Sequence, residues 1–182
     1  MGKLMTKNNK IDSQILENLL KETKQGNEAS FKQLYEFTKA PIYGYSLSIL
    51  KNHEDALDNM QDVFLKIYNS LETYNFKNTP MNWIFTITKN EALMKLRKET
   101  KHQKQEINEE LLISPSISEE DKIILKILLE ALTEEEKQII IMHLVGNLKH
   151  HEIAKLLELN LSTTLSKYHR ALKKLRLKWK EV

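Results

Sequence analysis

Apolar residues recur every three or four positions along most of this chain, and strict two-residue alternation is scarce. Ile15, Leu16, Leu19 and Leu20 share one face of a helix expected over residues 11–25. Gly26 is suited to end that helix in left-handed backbone. Asn27 is suited to cap a second one running through Phe31, Leu34 and Tyr35. Pro41 lacks the amide that a helix interior uses, so a break is expected near Lys39–Pro41, with further helix to about Lys51. Ala56, Met60, Val63, Phe64 and Ile67 form the inward stripe of a long amphipathic helix over residues 53–73. Tyr74–Thr79 reads as a polar loop, and Pro80 suits the first position of a helix reaching about Glu99.

The helical period then lapses. Residues 100–121 contain Ser114, Pro115, Ser116 and Ser118 and read as a flexible linker, with some helix near Glu106–Leu112. The period resumes with Ile123, Ile124, Ile127, Leu128 and Leu132. Thr133 and Glu136 form a capping box, and helices are expected at about 134–146, 149–157 and 162–180. The fold class is therefore all-α. Two small helical domains, residues 1–99 and 122–182, are joined by the linker 100–121, and the second is a helix-turn-helix.

Composition sharpens this picture in three places. Four Gly and three Pro are too few for a hairpin-rich β protein. The absence of cysteine excludes disulfides and thiolate metal sites and fits a cytoplasmic protein. No signal peptide or long apolar run stands out. Net charge is only +3, but its distribution is lopsided. Residues 99–136 hold eleven acidic side chains and four Lys, whereas residues 162–182 hold seven Lys or Arg and one Glu. Such asymmetry assigns separate work to separate segments.

The basic end carries the first candidate chemistry. His150–Leu157, a turn at Glu158–Leu161 and a helix from Ser162 have helix-turn-helix dimensions, with Ser162 or Thr163 as the expected cap. Thr164, Tyr168, Ala171, Leu172 and Leu175 lie on the inward stripe, facing Ile153, Ala154 and Leu157. Ser166, Lys167, His169, Arg170, Lys173 and Lys174 lie on the other. A helix fits the major groove, where Arg pairs with a guanine edge, while Lys more often meets phosphate. The plain alternative is a solvated basic face, which the preceding short helix and turn make less apt. With roughly five phosphate contacts, affinity falls with log salt at a slope of about −4 to −5. His143, His150 and His151 lack the spacing of a zinc helix and read as surface or helix-start residues. No nucleophile–base pair, metal cluster or phosphate-cradling Gly loop points to an enzyme or to a bound cofactor.

Two blocks in this order resemble the extracytoplasmic-function (ECF) sigma factors of bacterial RNA polymerase, the two-domain members of the sigma-70 family with regions 2 and 4. The first block includes Gly26–Phe31, Leu34-Tyr35, Asn52–Asp58, Gln61–Tyr68, Trp83–Asn90 and Leu96–Lys98. The second includes Glu152-Ile153-Ala154 and His169-Arg170-Ala171. The resemblance implies an alternative sigma factor whose partners are core RNA polymerase and promoter DNA, with no small-molecule substrate. It implies that Asp58, Gln61 and Asp62 meet the clamp helices of the polymerase largest subunit. It implies that the Tyr74–Thr79 loop, through Asn75, Phe76 and Asn78, together with Trp83, Lys89, Asn90 and Arg97, meets the −10 element. Trp83 and Phe85 are expected to serve the core first. Leu165, Ser166, His169 and Arg170 map to the −35 contacts, with Lys167 and Lys173 on phosphate. An anti-sigma factor, often membrane-bound in the family, is a further implied partner.

The chain departs from the family pattern at several positions. Leu57 stands where an acidic residue is common, Met94 where Asp is frequent, and Thr133 where Pro is usual. Glu158 and Ser162 stand where Gly is frequent, and Leu165 where a basic residue is. These bear on which promoter is read. The rival reading is a free-standing helix-turn-helix regulator, which explains the basic C-terminal end but not the block at Asp55–Tyr68.

Overall fold

The computed structural model describes residues 12–76, 79–99 and 131–179. Every regular element among them is helical. In chain order these are α1 (Ser13–Lys24), α2 (Glu28–Leu50), α3 (His53–Ser70), α4 (Pro80–Glu99), α5 (Glu134–Ile140), α6 (His150–Leu156) and α7 (Leu161–Trp179). Between α5 and α6 the chain makes a π-helical turn, Ile141–Val145. The expected linker 100–121 and the helical stretch from Ile123 to Leu128 lie outside the described residues.

Local chemistry sets most helix ends. Asp12 Oδ1 accepts from the amides of Gln14 and Ile15 and starts α1. Asn27 accepts from the Ser30 amide at 3.2 Å and starts α2. Between them Gly26 adopts φ +88°, where a side chain would be strained. Asn52 caps α3 through the Asp55 amide. Thr133 and Glu136 form the reciprocal box that starts α5. The start of α7 differs from expectation: Asn160 is the cap, its Oδ1 accepting from the Thr163 amide at 2.7 Å and from the Ser162 hydroxyl. An Asn one residue before the helix fits the cap geometry, and it leaves Ser162 and Thr163 as helical residues.

The expected break near Lys39–Pro41 is also absent, because α2 runs unbroken through Pro41. Residues 41 to 48 of that helix are all buried. Packing on every side holds the axis against a cost of about 3 kcal/mol for an interior proline. Around α2 lie α1, α3 and α4. Leu16, Leu20, Leu34, Ile42, Ile67 and Ile84 fill the space between and are fully buried. Each such side chain contributes about 1.5–3 kcal/mol on burial. Buried polar groups are tied within this core. Asn59 donates to Ser46 Oγ at 2.9 Å, which donates onward to the Ile42 carbonyl. The Tyr43 hydroxyl meets His53 Nδ1 at 2.8 Å, and burial pushes the Tyr43 phenol up to about 12.

In the C-terminal group, α5 and α6 pack against α7. Leu132, Ile140 and Ala171 form a buried cluster with Tyr168, Leu172 and Leu175 against it. The two helical groups also meet. Tyr45 and Phe85 from the first share one buried cluster with Ile139, Ile141, Met142, Leu148, Ile153 and Leu156 from the second.

Candidate polymerase and promoter interfaces

Helix α3 turns one stripe away from the core. Asp58, Gln61, Asp62 and Leu65 are spaced by three or four residues and are all exposed. Lys95 of α4 reaches across to Asp62 at 3.3 Å and Asp58 at 3.9 Å. Both carboxylates stay largely open to solvent, so these pairs are weak and readily exchanged for another partner. Leu65 is 64 % exposed and Tyr68 53 %. Neither was singled out in the sequence, although Leu65 shares the stripe of Asp58 and Asp62.

The next candidate surface is built around the loop before α4. Trp83 stacks on Tyr74 at 4.3 Å between ring centroids, and Phe76 packs edge-on to Tyr74 at 4.8 Å. Tyr74 is anchored from below by its hydroxyl donating to Glu17 Oε2 at 2.8 Å. Burial, then that hydrogen bond and charge, raise its phenol well above the ordinary value. The ammonium groups of Lys21 and Lys24 lie 5.6 and 5.9 Å from the Phe76 ring centre. Asn75, Asn90 and Arg97 are exposed, while Phe76 and Trp83 are half-buried. Asn78 lies outside the described residues. Phe85 serves the core, with no exposed surface and its ring edge-on to Tyr45 at 5.3 Å. Lys89 is not turned to solvent. Its ammonium donates to the Leu156 carbonyl and to Glu158 Oε1, each at 2.8 Å.

Helix α7 carries the third surface. Ser166, His169, Arg170 and Lys173 stand exposed along it, with Arg176 one turn beyond. Leu165 and Lys167 are half-buried. Two basic residues of this helix are engaged at home: Lys167 with Glu135 at 2.5 Å and Lys174 with the buried Glu136 at 2.6 Å. Burial opposes the charge on Glu136, but hydrogen bonds from Lys174 and Thr133 and the charge of Lys174 outweigh it and hold the carboxyl below its usual range. Behind the helix His143 and His150 stack at 4.1 Å, and Tyr168 meets both edge-on. His150 is thus more than a helix-start residue: its Nε2 is buried without a partner. His143 Nδ1 donates to the Leu148 carbonyl at 2.8 Å, closing the π-helical turn. No group of three His, Asp or Glu among the described residues is arranged to hold a metal.

A profile of sigma-70 region 2 matches residues 34–102, and a profile of sigma-70 region 4 matches residues 124–175. The RNA polymerase sigma factor SigV of Bacillus subtilis is 33% identical over 142 residues, covering 76% of this chain and 84% of SigV. The chain belongs to the sigma-70 family. Within it the ECF sigma factor SigK of Mycobacterium tuberculosis is 25% identical over 171 residues, covering 88% of this chain and 91% of SigK. Two solved structures share the fold. One is CnrH in complex with the cytosolic domain of CnrY, with TM-score 0.58 and 18% identity, covering 92% of this chain and 98% of that one. The other is the sigma factor RpoE of Bartonella quintana with the anti-sigma factor NepR, with TM-score 0.63 and 20% identity, covering 82% and 96%. This ECF sigma factor is therefore a transcription initiation factor, and its partners are core RNA polymerase and promoter DNA. No helix among the described residues is long and apolar enough to cross a membrane.

Proposed function

We propose that the three surfaces divide the work of initiation. The α3 stripe of Asp58, Gln61, Asp62 and Leu65 meets the clamp helices of the polymerase largest subunit. The Tyr74–Thr79 loop and α4, with Asn75, Phe76, Asn78, Trp83, Lys89, Asn90 and Arg97, receive the −10 strand. Exposed aromatic faces beside cations are how single strands are held. Helix α7 enters the major groove at the −35 element, with Ser166, His169 and Arg170 toward base edges and Lys167 and Lys173 toward phosphate; Leu165 flanks them. Residues 1–99 and 122–182 act as the two DNA-binding units.

Energy scale favours a subunit over a lone melting protein. Opening about ten base steps costs on the order of 14 kcal/mol, at about 1.4 kcal/mol of stacking per step. A captured base returns only about 1–3 kcal/mol. The protein therefore works in the cytoplasm on the polymerase and supplies no chemistry of its own. An anti-sigma factor is a fitting regulator, since RpoE of Bartonella quintana is seen with one. The observation that carries this reading is the exposed row on α7 behind a capped helix-turn-helix, on a chain that matches region 2 upstream. Run-off transcription on a pool of genomic promoter fragments tests it. Discrete transcripts are expected only with both the chain and core polymerase present. Binding to core without transcripts would count against it, and absence of core binding would overturn it.

A further inference from the structure

The region 2 profile begins at residue 34, so α1 lies ahead of it, and none of the three proposed surfaces gives α1 a role. The helix has two distinct faces. Leu16, Leu19 and Leu20 are buried in the core. Glu17, Lys21 and Lys24, spaced by four and three residues, share a second face. That face lies along the loop before α4. Glu17 is only 2 % exposed, and its Oε2 accepts from the Tyr74 hydroxyl at 2.8 Å. A buried carboxylate needs such partners, so this bond fixes the register of α1 on the loop. One and two turns further on, the Lys21 and Lys24 ammonium groups stand over the Phe76 ring, 5.6 and 5.9 Å from its centre.

Cations in the last turn of a helix complement its dipole, which accounts for two lysines there. It does not account for both ammonium groups meeting at one half-buried aromatic ring. Lys24 is steadied by the Glu72 carbonyl and by Glu72 Oε2, each at 3.2 Å. Glu72 is 79 % exposed, so that ion pair is weak and yields readily to another anion. Lys21 and Lys24 are themselves exposed. Beside Phe76 and the Tyr74–Trp83 stack they join charge to aromatic surface, the combination that holds a single strand.

We infer that α1 is part of the strand site, with Lys21 and Lys24 holding successive phosphates of a strand whose base meets Phe76. Glu17 acts through Tyr74 as the positioning residue. The inference rests on the loop before α4 receiving the −10 strand, as proposed above, and it extends that surface to a helix outside the family match.

Two measurements on the full chain bound to core polymerase test it. The first is acetylation of Lys21 and Lys24 by a lysine-reactive reagent, read by mass spectrometry with and without a random-sequence single-stranded 20-mer. Lys51, just past the far end of α2, is the internal standard. The second is the slope of log affinity against log salt on pooled promoter fragments, for wild type, for Lys21→Gln with Lys24→Gln, and for Lys21→Arg with Lys24→Arg. The strand should protect both lysines at least about threefold. The Gln pair should flatten the slope by about 1.4, at about 0.7 per cation on a single strand, and the Arg pair should restore it. Absence of protection by the strand would overturn the inference. So would an unchanged slope in the Gln pair of a chain that supports run-off, and either result would leave α4 as the −10 surface. Equal losses in the Gln and Arg pairs would make the role structural and overturn it too. Protection by core polymerase alone would assign the lysines to the polymerase instead. If no form supports run-off while the strand still protects both lysines, the strand site is upheld and the promoter reading fails.

Discussion

His150 shows how a single side chain sets a pH limit on this fold. Burial first, and then the charges of His143 and His169, hold its imidazole below the ordinary value. Burial does the same to His53, with Glu54 opposing it. The unfolded chain binds these protons more readily, so the stabilisation is complete above about pH 6.5, the unperturbed value, and is lost as pH falls through the lowered ones. The urea midpoint is expected to drop between pH 7.5 and 5.5, and His150→Asn to flatten part of that drop. Leu65 makes a different case at the same scale. Its side chain contributes little to the core, so Leu65→Ser should change stability by no more than about 0.5 kcal/mol. Core polymerase binding by the same variant, measured by fluorescence anisotropy, should weaken clearly. Equal affinity would remove α3 from the proposed interface. In the sequence, Asp58, Gln61 and Asp62 were singled out only through the family resemblance, and Leu65 was given no role although it lies outside the inward stripe of α3. The packing of the His150 ring was equally hidden, since its neighbours Tyr168 and His143 come from other elements.

Helix ends decide how well the reading elements are held. Asn160 satisfies the Thr163 amide at the start of α7 and takes the Ser162 hydroxyl. Asn160→Ala should cost about 1 kcal/mol and loosen the first turn, which supports Leu165 and Ser166 on the turn that follows. Thermal unfolding reads the first effect and −35-dependent run-off the second. The charge on α7 is partly spent within the domain, because Lys167 and Lys174 hold Glu135 and Glu136. With Arg170, Lys173 and Arg176 as the exposed cations among the described residues of α7, the slope of log affinity against log salt is expected to lie nearer about −3 than −5. A titration of polymerase-bound chain on promoter fragments, compared with a Lys173→Ala variant, measures the contribution of one cation, about 0.9 in slope. Most helices were legible from periodicity and caps, including the box at Thr133 and the turn at Gly26. Pro41 was not, because a proline's local preference was outweighed by burial around α2 that no local window contains. The cap of α7 was misplaced by two or three residues, since Asn160, Ser162 and Thr163 are all good caps and backbone geometry alone chooses among them.

For the molecule as a whole, the order of the two family blocks was plain in the sequence, and the contact between them was not. Lys89 and Glu158 are 69 residues apart, and nothing in the sequence pairs them. The sequence did mark Glu158 as unusual where glycine is frequent, and its φ of +58° supplies the physical reason. Phe85 was rightly expected in the core, although the core it joins includes side chains from both helical groups. The stack of Trp83 on Tyr74 has a practical consequence for optics. The chain has two tryptophans, and the second stands at the last residue of α7. Replacing Trp179 with Phe would leave one indole emitter, seated against the tyrosine beside the loop proposed to hold the −10 strand. A nucleobase sliding onto that indole would quench its light within the time of mixing, giving each strand-capture event its own built-in lamp.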